Sequence, residues 1–354
     1  MNSVIFEVDN KKIWWIDFLK GIAILMVICV HVGTMLVGVA NLNSFVGIII
    51  EQGAKGVQIF FIISAITTFY SFDKKIKIEK FSYINFLIKK LNRLAPLWIL
   101  VSLAWFVIYA IFKKELLIEN LIIHIFFLNG VFPLFINSLV SGGWFVGTLV
   151  LFYLIAPILY KYIKSTNQSL IFFLISIIIS VAFDQYIFQW LNLGYFSYMS
   201  LPMQLPVFAL GIFCYFIVIK KDFSSKIILD GLLMISGIVL MINLFFVKFF
   251  YNYVYFSIFF VLGMFVLNQL KDDYFNNNFI NYLGKNSYSI YLVHFFVLTF
   301  LINNSIKFTS NFYFEFVINF VLLLVITLVL CKLIEIIYEK PFMNLIRRKN
   351  INKY

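Results

Sequence analysis

The sequence predicts an all-α fold: a polytopic membrane helix bundle of about ten transmembrane helices plus one short re-entrant or peripheral helix, with both termini cytoplasmic. Three observations predict it. Of the 354 residues, 63% are hydrophobic and only 12% are charged, about half the charged share of an ordinary soluble domain. Apolar runs recur from end to end, each of about 20 residues and so long enough to cross a ~30 Å hydrocarbon core as a helix. Lysine and arginine collect in alternate connecting segments, the pattern that sets orientation in a bilayer.

The first candidate helix, 13–38, runs well past signal-peptide length and is followed by no small-residue cleavage site, so it is expected to be retained, with the mature chain starting near Met1. The next two, 44–72 and 93–112, flank the lysine-crowded stretch 74–93. The fourth, 120–136, is the shortest and holds His124 near its start. If it crossed, every later loop would change sides and the basic residues would be nearly balanced; if it does not, most of them fall inside. It is therefore expected to be re-entrant or to lie on the outer face, where irregular backbone is tolerated only under cover of protein or water. Candidates 144–163, 169–187, 203–219, 228–247, 252–270, 286–304 and 313–338 complete the set. No internal repeat interrupts them, and the only biased stretch is the Asn-rich "NNNFIN" at 276–281, so residues 1–354 read as a single integral-membrane domain.

Cys29, Cys214 and Cys331 all lie in apolar runs and form no CxxC pair, which argues against a disulfide framework or a zinc site and for buried structural thiols. The formal charge of +12 sets topology; no basic soluble surface suited to nucleic acid accompanies it. There is no Gly-rich phosphate loop, HExxH, GxSxG or EF-hand pattern, so neither a metal nor a serine nucleophile is expected. Trp14, Trp15 and Tyr338, near helix ends, fit an interfacial aromatic belt.

The informative residues are the charges inside the spans. Asp17, Lys20 and His31 share one helix face, with Lys20 and His31 separated by ~16 Å along the axis. Charges at mid-membrane are costly, so this stripe should face the bundle interior or a wet cavity. Asp17 with Lys20 could equally be an ion pair snorkelling to the headgroups, and His31 a hydrogen-bonding group between helices. Glu51, Lys55 and Gln58 follow at i, i+4 and i+7 in the second helix, either as a self-neutralising pair or as an acceptor-binding face. In "FLIKKLNRLAP", Lys90 and Arg93 lie three residues apart at a helix mouth and could cradle a phosphate, the arginine with a bidentate fork. At the far end Glu335 pairs most simply with Lys332, near Glu339 and the helix-ending Pro341.

These stretches resemble, in order, the signatures of the acyltransferase-3 family of integral-membrane O-acyltransferases. "WIDFLKGIAILMVICVH" is similar to the family's N-terminal run leading to a histidine, "GVQIFFIISA" (56–65) to its second signature, and "KKLNRLAP" (89–96) to its R-x-x-R-x-x-P element. "WFVGTLVLFYLIAP" (144–157), "PVFALGIF" (206–213), "LGKNSYSIYLVH" (283–294) and "YEKP" (338–341) continue the likeness. The chain departs from the pattern at Lys20 and Lys90, where arginine is usual, at Gln58 for aspartate and Ala65 for glycine. It has Leu149 and Val150 where many members carry an acid, like the branch without a fused hydrolase-like domain.

The resemblance implies transfer of an acyl group, usually acetyl, from coenzyme A to a sugar hydroxyl, often in a cell-surface polysaccharide such as O-antigen. His31 takes the place of the family's catalytic histidine, and Lys20, Lys90 and Arg93 those of its donor-binding cations. His31 is then expected to act as general base, which needs a neutral imidazole, or through a covalent acyl-imidazole. Asp17 orients Lys20, and His294 serves a structural or acceptor-side hydrogen bond. Acetyl-CoA is a donor substrate rather than a resident cofactor, a glycan is the acceptor, and membrane lipid surrounds the chain. The competing class is a transporter or flippase using the same polar stripe, which would show paired discontinuous helices in two similar halves; a scaffold that has lost its chemistry is a third. The Ile-, Phe-, Asn- and Lys-rich composition points to an AT-rich bacterial source and a multi-pass inner-membrane location. Nothing in the sequence marks an oligomeric state.

Overall fold

The computed structural model describes residues 7–8, 11–12, 14–38, 45–78, 82–220, 252–267, 277–304 and 307–342. Apart from a two-residue antiparallel pairing of Glu7–Val8 with Lys11–Lys12, the described residues are helices and their connections. We number the helices α1 (Trp14–His31), α2 (Phe45–Gln52), α3 (Gly56–Ile78), α4 (Tyr83–Ile108), α5 (Ile118–Ile125), α6 (Trp144–Tyr162), α7 (Thr166–Ala182), α8 (Gly194–Ser197), α9 (Leu201–Cys214), α10 (Asn252–Leu267), α11 (Asn278–Lys285), α12 (Ser287–Asn303) and α13 (Phe312–Ile334). Among the described residues seven helical stretches are long and apolar enough to cross a membrane, and α11 with α12 makes an eighth, bent by 80°. Of the remaining expected spans, 252–270 contains the 16-residue α10, and 228–247 lies outside the described residues.

Local sequence explains where these helices begin and break. Ser82, Ser165, Asn277 and Asn311 cap α4, α7, α11 and α13 by accepting hydrogen bonds from first-turn N–H groups, which those N–H groups cannot find within the helix. At the start of α13, Glu315 accepts from the N–H groups of Phe308 and Thr309 and from Asn319, so a carboxylate in an apolar helix is fully engaged. The stretch 44–72 lies within one span, Phe45–Lys74, as expected, but its helix is interrupted. A 3-10 turn, Gly53–Lys55, separates α2 from α3 and shifts the face on which later residues lie.

The segment 120–136 holds no helix long enough to cross. Only Ile118–Ile125 is α-helical, followed by the single turns Leu128–Gly130 and Pro133–Phe135, and eight residues rise only ~12 Å. Protein covers part of it: His124 stacks on Trp98 at 5.7 Å, and the Trp98 indole donates to the His124 carbonyl at 2.5 Å, while Phe126, Val131 and Leu134 are exposed. Burial pushes the His124 imidazole down to about 4, the hydrogen bond with the Asn120 carbonyl opposing it.

Trp15 departs from the aromatic-belt expectation. It is 4% exposed, in the core rather than at an interface, because α1 is surrounded by α3, α11 and α12. The tightest of these contacts is with α11: a Cβ on Gly284 would lie 1.7 Å from the Asp17 carbonyl oxygen, and one on Gly21 2.2 Å from that of Ile280. The two backbones therefore touch, an approach that side chains would forbid. Cys214 and Cys331 are buried, Cys29 is half-buried, and all three are free thiols.

Candidate functional site

At the end of the bundle where the lysines gather, a cleft opens among α1, α3, α4, α6, α11 and α12, enclosing about 830 Å³ of empty space including its mouth. Four cations line it: Lys20 from α1, Lys90 and Arg93 from α4, and Lys285 from the last turn of α11. Among the described residues no acidic side chain lines the cleft, and four like charges around a low-dielectric pocket concentrate positive potential there. Nearby carboxylates are held by other groups. Asp17 lies 3.8 Å from Lys20, both side chains under one-fifth exposed, so the pair sits beside the cleft rather than snorkelling. Asp73 accepts hydrogen bonds from the hydroxyls of Tyr160 and Tyr215 and pairs with Lys220 at 3.0 Å.

Helical spacing places Lys90 and Arg93 on one face of α4. Lys90 donates to Thr68 Oγ1 at 3.0 Å and lies 4.6 Å above the Tyr153 ring, which fixes its ammonium toward the cleft, while Arg93 stays exposed at the mouth. Lys285 arrives by a different route. The Gly284 contact presses α11 onto α1, and the 80° bend after Lys285 turns the chain into α12, so Ser287, Tyr288 and Tyr291 enter the same wall. Tyr288 is anchored by donating to the Leu94 carbonyl at 3.0 Å.

Inward from the cations the lining becomes apolar and aromatic. Tyr153, Leu149 and Phe145 recur every fourth residue along α6, a track about 12 Å deep. Tyr291 packs on Phe145 at its inner end, ring centroids 4.8 Å apart. Beyond Tyr291 lie the two histidines. His31 and His294 stand 5.3 Å apart, ring to ring, and the Tyr291 and His294 centroids are 5.8 Å apart. His294 is 0% exposed, and its Nδ1 lies 3.2 Å from the Ile290 carbonyl. Because a carbonyl only accepts, Nδ1 carries the hydrogen in the neutral ring. Nε2 is then a bare acceptor with no hydrogen-bond partner among the described residues.

Other expected residues fall elsewhere. Lys55 is buried and donates to the Gln52 side chain; Glu51 is exposed and forms no ion pair with it. Glu51 nevertheless acts favourably on the Lys55 charge across the 3-10 turn. Gln58 donates to the Tyr198 hydroxyl at 2.8 Å and to Gln204 at 3.3 Å, away from both. Glu335 binds Lys332 at 2.9 Å as expected and also Lys340 at 3.1 Å, while Glu339 is buried and accepts from Ser289. Lys285, Tyr288 and Tyr291 were not singled out from sequence, although "GKNS" at 284–287 carries the stop-and-restart signals of a broken helix.

The described residues thus form a helical bundle with seven or eight helices long and apolar enough to cross a membrane, a cationic cleft at one end and paired histidines beyond its inner limit. Its family is acyltransferase-3: the family profile, described as an acyltransferase domain, matches residues 13–336, nearly the whole chain, and the chain belongs to that family. It is a membrane acyltransferase. No curated protein and no solved structure matches the chain.

Proposed function

We propose that the chain transfers an acetyl group from acetyl-CoA to a sugar hydroxyl of a cell-surface polysaccharide or its lipid-linked precursor, working in a bacterial inner membrane with its lysine-rich end cytoplasmic. The observation that carries this reading is the juxtaposition of four cations with no acidic lining residue and, one aromatic ring further in, the two histidines. The diphosphate and ribose phosphate of coenzyme A suit Lys20, Lys90, Arg93 and Lys285, Arg93 offering a bidentate fork. The thin pantetheine arm suits the narrow track of Tyr153, Leu149 and Phe145. His31 takes the proton of the acceptor hydroxyl as its oxygen attacks the thioester carbonyl. The new C–O bond forms, the C–S bond breaks, and the coenzyme leaves as a thiolate that is then protonated. Asp17 positions Lys20, and His294, with its Nε2 lone pair, supplies an acceptor-side hydrogen bond.

The test is acetyl transfer from labelled acetyl-CoA into glycan by membranes holding the wild type or His31→Ala at matched abundance. General-base catalysis contributes typically 10²–10⁴-fold, and the variant is expected to lose transfer on that scale while still binding donor. Equal transfer by both removes His31 from its role. No transfer by either, with the native glycan supplied, moves the weight to a transporter.

A further inference from the structure

The lining of the cleft stops one ring short of the histidine pair. Neither His31 nor His294 is among the residues lining the cleft, whereas Tyr291 lines it and packs against His294. The Tyr291 ring also meets Phe145 at 4.8 Å and Phe295 at 6.2 Å, and Phe295 in turn lies 4.9 Å from the ring of His31. The ring is thus fixed on the cleft side by α6 and on the histidine side by α12 itself.

Its hydroxyl is fixed as well. Tyr291 donates to the Gly142 carbonyl at 3.0 Å. Gly142 sits at φ 72° in the turn before α6, and a Cβ there would approach Phe295 Cε2 to 2.4 Å and the Tyr291 hydroxyl to 3.0 Å. Only glycine meets both demands, the left-handed backbone and the close approach. That turn belongs to the end of α6 opposite its lysines, so one hydrogen bond joins a cleft-lining ring to the far side of the bundle.

We propose that Tyr291 is the partition between the donor cleft and the His31–His294 pair: its ring closes the passage, its bond to Gly142 holds it closed, and its displacement decides what reaches His31 from the cleft. This rests on the donor reading of the cleft, and it gives Tyr291 a positioning and selecting role without making it a reacting group. A closed partition keeps water in the cleft from the thioester carbon until the acyl group has passed, so that the sugar hydroxyl rather than water meets it.

Access is measured without acyl transfer. In the full-length chain with Cys29, Cys214 and Cys331 replaced, His31→Cys is introduced, and its modification by a membrane-impermeant anionic methanethiosulfonate applied from the lysine-rich side is timed in oriented vesicles. With Tyr291 intact, modification is expected to be slow. Adding Tyr291→Ala is expected to raise the rate at least tenfold, and Tyr291→Phe, which keeps the ring and loses the latch, to raise it severalfold. Rapid modification with Tyr291 intact, or one rate for all three, overturns the partition. If Tyr291→Ala fails to accumulate, Tyr291→Phe decides alone, and no rise for it counts against the proposal. In chains with His31 intact, the same Tyr291 substitutions are expected to increase acetyl-CoA hydrolysis in the absence of glycan. Faster labelling without any hydrolysis would leave the partition standing and remove the donor reading instead.

Discussion

At the lysine-rich end Lys20, Lys90, Arg93 and Lys285 line a cleft open to water, whereas toward the opposite end Gln58, Gln204, His124 and Asn129 are fully buried and make hydrogen bonds to neighbouring protein groups, with Gln58 Oε1, His124 Nε2 and Asn129 Oδ1 left unpaired among the described residues. The four cleft cations sit where water or a charged ligand can solvate them, and these neutral polar groups sit where only protein can. The difference follows from cost. A buried amide is tolerable once hydrogen-bonded, while an unmatched buried ion is far more expensive. Polarity at the first end is therefore available to a ligand, and at the second it mostly holds helices together.

Substitutions can break this contrast, beginning with the largest effect. Lys90→Ala with Arg93→Ala should raise the KM for acetyl-CoA about 100-fold, at roughly tenfold or 1.4 kcal/mol per cation, with little change in kcat; titration at increasing salt should show a shallower dependence in the variant. An unchanged KM would mean the cations only set topology. Gly284→Ala should weaken the α1–α11 contact, since its Cβ has no space beside the Asp17 carbonyl; overpacking costs typically ~1–3 kcal/mol, read as a lower unfolding temperature in detergent together with weaker donor binding through Lys285. At the other end Gln58→Leu should cost ~1–3 kcal/mol by leaving buried partners unsatisfied, with donor affinity unchanged. A loss of donor affinity instead would erase the division between the two ends. The smallest effect is expected for Glu51→Gln, which removes an exposed charge in only electrostatic contact with Lys55 and should alter transfer less than twofold.

The parts of the site that were legible in the sequence are those that a single helix carries. Lys90 and Arg93, three residues apart on α4, reach the same cleft because helical spacing alone aligns them, and Asp17 pairs with Lys20 for the same reason. Ordered motifs likewise pointed to the family. What could not be read depends on contacts between distant segments or on a local break. Lys285 and Tyr291 face the cleft only because the chain bends by 80° after α11 and packs back on α1. Glu51 still acts electrostatically on Lys55, but the Gly53–Lys55 3-10 turn between them, and the bond of Lys55 to Gln52, could not be read from helical spacing. Trp15, placed by sequence at an interface, is enclosed by helices from much later in the chain.

The contact between Gly284 and Asp17 also sets an order of events at the ribosome. Lys20 is made and inserted early, but its neighbour across the cleft, Lys285, follows only after most of the chain has been translated. Until α11 emerges, α1 lacks the surface that Gly21 fits, and the cationic cleft lacks a wall. Pairing elements so far apart in sequence is entropically slow. Nascent chains halted before α11 should thus enter the membrane yet retain no coenzyme, so that donor capture becomes a late checkpoint on complete synthesis.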